Sequence, residues 1–192
     1  LECIKQEILK ADNRVVNAMV SFVTRYNSSM FLSPNKDLEQ FYTWTNINFM
    51  AFVKGEKGMK SYRGGANENS IELALKNAKK EISKTVETAV MLLDATQIEP
   101  GTYQVIVDPG VAGLIAHEAF GHGVEMDMFV KDRAKAKFYV EDYVASPKVS
   151  MKDGAASCVS AGSYFFDDDG MLAHDTTVIE NGILKNGISD AL

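Results

Sequence analysis

The sequence contains few cysteines, no excess of basic charge and no long apolar run. Cys3 and Cys158 are the only two cysteines in 192 residues, too few for a disulfide framework, so we expect a reducing, cytoplasmic location. Twenty basic residues face 26 acidic ones, and the formal net charge of −6 argues against a nucleic-acid partner. No stretch approaches the roughly 20 apolar residues of a membrane span, so we expect no membrane partner.

The composition that remains is that of an ordinary globular protein. Hydrophobic residues make up 46% of the chain and charged residues 24%. The first residue is Leu1 rather than Met, and the chain opens directly into a helix-like run with Ile4 and Ile8 one turn apart. We therefore expect a piece of a longer protein, without a visible signal peptide.

Strand patterns dominate residues 14–60. The segment Phe41–Val53 alternates, and the turn Gly55–Gly58 predicts a hairpin into Met59–Arg63. The pair Gly64-Gly65 predicts the end of that strand. One face of the alternating segment consists of Thr45, Ile47, Phe49, Ala51 and Val53.

A long helix is predicted over residues 69–94. Asn69 can cap its start, and Glu72 follows three positions later as in a capping box. Apolar residues recur every three or four positions, which predicts a face packed on the preceding sheet. They are Ile71, Leu75, Ala78, Ile82, Val86, Ala89 and Leu93.

Pro100-Gly101 marks the predicted domain boundary. We expect an α+β fold. Residues 1–99 would form an antiparallel sheet with packed helices, and residues 100–192 would begin a β-rich domain with a motif helix at the junction. In the second part we predict strands at Tyr103–Val107, Ser163–Phe166 and Thr176–Glu180, a helix from about Val111, a turn at Asp167–Gly170 and a type I′ hairpin at Asn181-Gly182.

The chemistry of the chain centres on the run His117-Glu118-Ala119-Phe120-Gly121-His122. A hydrolytic zinc site needs imidazole ligands, an open position for water and a carboxylate that takes the proton of that water. His117 and His122 can supply two nitrogens, and Glu118 can act as the base. The alternative is two unrelated histidines on one helix.

The spacing of the two histidines carries a structural prediction. Five residues on an ideal α-helix correspond to about 140° around the axis, so both rings could not face one metal ion. The helix must therefore loosen between them, and the glycines on both sides of His122 allow this. We predict that residues 117–122 are not a uniform α-helix.

The run continues as Gly123-Val124-Glu125-Met126-Asp127 and resembles the signature of the TldD/PmbA family, roughly HExxGHGLExD. The stretch 166–170, FDDDG, resembles the family's IDDEG turn, and 178–185, VIENGILK, resembles its LIENGxLKG hairpin. Because PmbA-type subunits lack the histidine motif, the chain resembles the TldD-type catalytic subunit. The family has also been labelled "modulator of DNA gyrase".

The resemblance implies a zinc-dependent peptidase that hydrolyses unfolded or flexible peptides. It implies His117 and His122 as zinc ligands, Glu118 as the base, and a cysteine beyond residue 192 as the third ligand. It also implies a homodimer, or a heterodimer with a PmbA-type subunit. Two other interpretations are a non-catalytic interaction subunit and a modulator of DNA gyrase, the latter disfavoured by the acidic composition.

Other candidate ligands lie in the chain. Glu125 and Asp127 could orient an imidazole from outside the metal's own ligand set. Cys158 could donate a thiolate, although its small-residue surroundings favour a buried thiol on a strand. We expect His174 to be exposed, and the Asp167–Asp169 run to be a turn because it lacks the spacing of an EF-hand.

Overall fold

A computed structural model describes residues 1–189 of the chain, so the last three residues of the predicted 100–192 domain lie outside the described part. Two compact units are present, Leu1–Met30 with Glu39–Pro100 and Phe31–Leu38 with Gly101–Leu192. Among the described residues, no helix is both long and apolar enough to span a membrane. The helices are α1 Glu2–Ala11, α2 Ile71–Lys80, α3 Ile82–Met91, α4 Pro109–Ala119 and α5 Met126–Val130, and the strands are β1 Val15–Ser33, β2 Lys36–Gly55, β3 Gly58–Glu68, β4 Met151–Asp153, β5 Thr176–Glu180 and β6 Ile183–Leu184.

The first unit is built on a sheet of order β1-β2-β3. Strands β2 and β3 are antiparallel, with Gly55 opposite Gly58 across the predicted hairpin turn. Alternation along β2 places one set of side chains in the core, as the sequence predicted. All five members of that face are buried: Thr45, Ile47, Phe49, Ala51 and Val53.

Helices α1, α2 and α3 contribute the rest of this core. Ile4 and Ile8 of α1 are almost completely buried, and α2 and α3 bury most of the predicted apolar stripe. Burying such side chains stabilises the unit by about 1.5–3 kcal/mol for each large aliphatic residue. Ile71 at the start of the stripe is exposed instead.

The predicted long helix differs from the structure in two respects. It consists of α2 and α3, which meet at Glu81, and the N-cap is Ser70 rather than Asn69. Ser70 Oγ accepts a hydrogen bond from the backbone N–H of Leu73 at 3.2 Å. Asparagine and serine can both cap a helix. The cap is therefore whichever of the two directly precedes the first helical residue.

The pair Gly64-Gly65 was wrongly predicted to end its strand, because β3 continues to Glu68. The register places Gly64 opposite Phe49, and a Cβ at position 64 would lie 2.8 Å from the Phe49 ring. Glycine at this position accommodates a large buried ring on the neighbouring strand. Pairing along β2 outweighs the weak strand preference of glycine.

The second unit contains a small sheet of order β4-β5-β6 with antiparallel pairing. Asn181 and Gly182 have φ values of 48° and 87°, which confirms the predicted type I′ turn between β5 and β6. The turn at Asp167–Gly170 is confirmed as well, since the N–H of Gly170 donates to the carbonyl of Asp167 at 3.1 Å. A compact core joins Val124, Val178, Ile179 and Leu184.

Three strand predictions in this unit were wrong. Residues 103–107 belong to no sheet in the described part of the chain, and residues 163–166 contribute only the single bridge between Phe166 and Leu172. Residues 155–159 form bends and turns, and Cys158 is exposed rather than buried. A strand requires a partner of suitable register, and side-chain alternation alone does not provide that partner. The α+β class with antiparallel sheets is confirmed.

Candidate metal centre

Helix α4 carries His117 and Glu118 in its last turn. The helix, predicted from about Val111, begins two residues earlier: Asp108 is the N-cap, its Oδ1 accepts the N–H of Val111 at 2.8 Å, and Pro109 occupies the first turn. Proline fits there because the first N–H groups of a helix have no intrahelical acceptor.

The α-helix ends before the second histidine. Phe120 departs from helical geometry with φ −132° and ψ −44°, and Gly121–Val124 forms a 3-10 turn. The prediction that residues 117–122 are not a uniform α-helix is confirmed. The ring centroids of His117 and His122 are 4.5 Å apart, with the ring planes at 65°.

The last residue of the 3-10 turn that carries His122 lies in the core of the second unit. Val124 is fully buried there. Its carbonyl accepts the N–H of Ile188 at 2.8 Å, and the carbonyl of Ile188 accepts the N–H of Met126 at 2.8 Å. Both peptide groups that flank Glu125 are thereby paired with a segment distant in sequence, a contact that no local pattern could have predicted.

The structure brings His117, Glu118 and His122 together. One donor atom from each lies within 4.8 Å of the others, and the described residues contain no other such group of three histidine, cysteine or carboxylate side chains. Two ligands of one zinc ion, each about 2.1 Å away, are at most about 4.2 Å apart. Small side-chain rotations would therefore close the group around an ion. All three side chains are exposed, and the chemistry of two imidazoles and one carboxylate fits zinc.

The remaining candidates are distributed differently. Glu125 Oε1 lies 2.7 Å from His122 Nδ1, so this carboxylate contacts the predicted ligand directly. Asp127 instead accepts a hydrogen bond from Lys131 Nζ at 2.7 Å. That bond holds the pKa of the Asp127 carboxyl below its ordinary value and raises the pKa of Lys131.

Neither Cys158 nor His174 belongs to the donor group. Cys158 is exposed as a free thiol. His174 is exposed, as predicted, and its Nδ1 lies 3.2 Å from the carbonyl oxygen of Leu172. A third ligand for the candidate centre therefore does not come from either of these residues in the structure.

A cavity of about 760 Å³ adjoins Glu125, and the sequence did not reveal it. Its lining combines apolar and acidic side chains from distant segments. Asp167 is already engaged, because its Oδ1 accepts the N–H groups of Asp169 and Met171 at 3.0 and 2.8 Å. The acidic run is thus turn chemistry, as predicted. Lining residues include Glu125, Met126, Val130, Tyr164, Asp167 and Ile188.

Comparison with known proteins identifies the relatives of this chain. Residues 100–192 match the PmbA/TldA metallopeptidase C-terminal domain. The chain is 30% identical over 183 residues to Metalloprotease MJ0996 of Methanocaldococcus jannaschii, which covers 91% of this chain and 39% of that protein. It is 28% identical over 193 residues to a Metalloprotease TldD homolog of Buchnera aphidicola, covering 94% of this chain and 40% of that protein. The chain thus spans about two fifths of the length of these curated relatives.

Solved structures show the same fold. A Bacteroides thetaiotaomicron protein described as a candidate modulator of DNA gyrase superposes with a TM-score of 0.84 at 16% identity, covering 98% of this chain and 43% of that one. TldE from Thermococcus kodakarensis superposes with a TM-score of 0.68 at 17% identity, covering 98% of this chain and 42% of that one. The sequence relatives confirm the resemblance that the histidine motif carries: the chain belongs to the PmbA/TldD family.

Proposed function

We propose that this chain carries the metal-binding and catalytic residues of a zinc-dependent peptidase that cleaves unfolded or flexible peptides. The observation that carries the proposal is the end of α4 at Phe120, which brings the rings of His117 and His122 to a centroid distance of 4.5 Å. Relatives named metalloproteases support it.

In the proposed mechanism, His117 and His122 would hold the zinc ion through imidazole nitrogens. When bound, zinc would polarise the scissile carbonyl and lower the pKa of a water molecule. A carboxylate oxygen of Glu118 would take the proton of the attacking water and return it to the leaving amine. Glu118 is about 100° from His117 around the helix, yet one of its carboxylate oxygens lies within 4.8 Å of a ring nitrogen of each histidine. The resemblance supplies the third ligand, a cysteine in a part of the family fold outside these 192 residues.

The proposed substrate is a peptide in extended form, because such a peptide can pair with an exposed strand edge and be selected with little regard to side chains. The proposed assembly is a homodimer or a heterodimer with a PmbA-type subunit, and the proposed location is the cytoplasm. The fold shared with TldE supports the family assembly. A non-catalytic interaction subunit is the alternative that the following experiment distinguishes.

The test measures zinc content and peptide cleavage in the full-length protein that contains this chain. We expect one zinc ion per chain, lost in His117→Ala and in His122→Ala. Glu118→Gln keeps the zinc but cleaves an unstructured peptide about 10²–10⁴ times more slowly. His174→Ala is the matched control, since this third histidine lies outside the donor group, and both zinc and cleavage should be retained.

Two results would contradict the proposal. A parent protein without zinc, or one that retains zinc in His117→Ala, would exclude the proposed metal centre. A Glu118→Gln variant that cleaves peptide at the parental rate would remove Glu118 from the role of base. Zinc binding without any cleavage by the parent protein would favour the non-catalytic interaction subunit.

A further inference from the structure

We propose that Glu125 is a positioning residue that selects the nitrogen through which His122 binds metal. Its Oε1 lies 2.7 Å from His122 Nδ1, a short charge-assisted hydrogen-bond distance. This inference rests on the proposed function for the identity of the metal, whereas the contact itself is observed in the structure.

The chemistry of the two groups determines which nitrogen carries the proton. A neutral imidazole has one N–H donor and one lone-pair nitrogen, and an ionised carboxylate can only accept. Nδ1 of His122 therefore carries the hydrogen and donates it to Glu125. The lone pair is left on Nε2, the nitrogen on the far side of the ring, which is the one available to a metal ion.

The exposure of both side chains shows why the backbone must help to hold the contact between His122 and Glu125. The side chains of His122 and Glu125 are 54% and 42% exposed, and ion pairs in such surroundings contribute only about 0–1 kcal/mol when both partners move freely. An exposed contact of this kind can orient a ring only if the Cα atoms of both residues are already fixed.

The fold supplies that restraint through Ile188. The N–H of Ile188 donates to the carbonyl of Val124, and the carbonyl of Ile188 accepts the N–H of Met126, each at 2.8 Å. These bonds hold the extended backbone of Glu125 on both sides, and Val124 is fully buried. His122 lies in the 3-10 turn immediately before this restrained segment. Main-chain bonds thus restrain the backbone from which the Glu125 side chain reaches His122.

The neighbouring carboxylate provides an internal comparison. Asp127 lies two residues further on, but its side chain is paired with Lys131 Nζ at 2.7 Å. Asp127 is similarly exposed and is also a carboxylate, so its substitution removes one negative charge, as that of Glu125 does, without touching the His122 contact. It is therefore the matched control for Glu125.

The experiment reads the His122 tautomer directly by ¹⁵N NMR of the metal-free, full-length protein labelled in its imidazole nitrogens. The spectra are recorded at about pH 9, well above the ordinary histidine pKa of about 6.5. We expect the Nδ1–H tautomer in the parent and in Asp127→Ala. Glu125→Ala shifts His122 toward Nε2–H, and Glu125→Gln retains Nδ1–H because its amide oxygen still accepts.

Zinc affinity is measured on the same four proteins by competition with a chromophoric chelator. Loss of an outer hydrogen-bond partner of a histidine ligand typically weakens metal binding about 10–100-fold, and this is the expectation for Glu125→Ala. Asp127→Ala should bind zinc within about twofold of the parent, since it does not contact the ring.

The outcomes separate the two proposals. If Glu125→Ala keeps the parental tautomer, or if Asp127→Ala shifts it equally, the positioning role is wrong. If the parent binds no zinc, the proposed function fails, and the tautomer of the metal-free variants still decides whether Glu125 orients His122.

Discussion

Gly187 lies so close to the main chain of Val124 that a Cβ atom at position 187 would be 2.7 Å from the Val124 carbonyl oxygen. The same Cβ would also collide with the sulfur atom of Met126. The carbonyl of Val124 is the acceptor for the N–H of Ile188. Glycine at 187 is therefore what allows this segment to approach the end of the histidine motif.

We expect Gly187→Ala to weaken the main-chain hydrogen bonds that join Ile188 to Val124 and Met126. The added methyl meets the backbone carbonyl oxygen of Val124 as well as the Met126 side chain, and the backbone atom cannot rotate away, so strain of about 1–3 kcal/mol should destabilise the local structure. Amide hydrogen exchange at Ile188 and Met126 should accelerate correspondingly, and His122 should lose part of its Nδ1–H tautomer.

The control for this substitution is Gly113→Ala. Gly113 lies in α4, where a Cβ would meet nothing within 4 Å, and alanine is favoured over glycine in a helix by about 0.5–1 kcal/mol. Exchange at Ile188 should stay parental in this variant. Unchanged exchange in Gly187→Ala would show that the segment relaxes without cost.

The N-cap of α2 gives a second prediction. Ser70→Ala removes the hydroxyl that accepts the N–H of Leu73, and a lost cap of this kind costs about 0.5–2 kcal/mol. Urea unfolding followed by the fluorescence of Trp44, the single tryptophan of these 192 residues, reports on the same compact unit. The midpoint should fall in Ser70→Ala.

Asn69→Ala should leave that midpoint nearly unchanged. The free energy of unfolding should change by no more than about 0.5 kcal/mol. The interaction of Asn69 in the structure is made by its backbone carbonyl, which accepts the hydroxyl of Thr43 at 2.9 Å and survives the substitution. A larger loss in Asn69→Ala than in Ser70→Ala would support the capping box that the sequence suggested.

A third prediction concerns acid stability at the end of α1. Hydrogen bonds from the Arg14 side chain, and then from its backbone N–H, lower the pKa of Asp12 from 3.8 to about 2. A carboxyl group whose folded pKa is depressed stabilises the fold above its unfolded pKa. That contribution is complete above about pH 4 and is lost as the pH falls toward 2.

The measurement is the difference in urea midpoint between the parent and Asp12→Asn across this pH range. The difference should be largest near neutrality and should shrink between pH 4 and 2, because the parent then loses the charge that the variant lacks. Asparagine can still accept the backbone N–H of Arg14, so the comparison isolates the charge. A difference that is constant with pH would show that the ion pair with Arg14 contributes nothing.

Local patterns predicted much of this structure. The alternation of β2 identified its buried face, because period two in the sequence is period two on a sheet. Asn181-Gly182 identified its hairpin turn, since few other pairs accept positive φ at both positions. The five-residue separation of His117 and His122 predicted a break in the helix from geometry alone.

Sequence patterns gave wrong predictions where an element needs another segment to pair with it or to pack over it. The strand predicted at residues 103–107 needs a neighbouring strand, and among the described residues no sheet includes it. The pair Gly64-Gly65 predicts a strand end, but pairing with β2 carries β3 onward to Glu68. Burial of Cys158 was inferred from its small neighbours, but burial depends on what packs over a residue, and Cys158 is exposed.

The sequence by itself determined the motif residues, the need for a helix break between the two histidines and the family to which the chain belongs. Only the tertiary structure decided that Glu125 rather than Asp127 contacts His122. That choice depends on the main-chain bonds of Ile188 and on the burial of Val124, which hold the backbone after the motif. Contacts between segments far apart in the chain leave no period in the sequence, so folding alone brings these residues together.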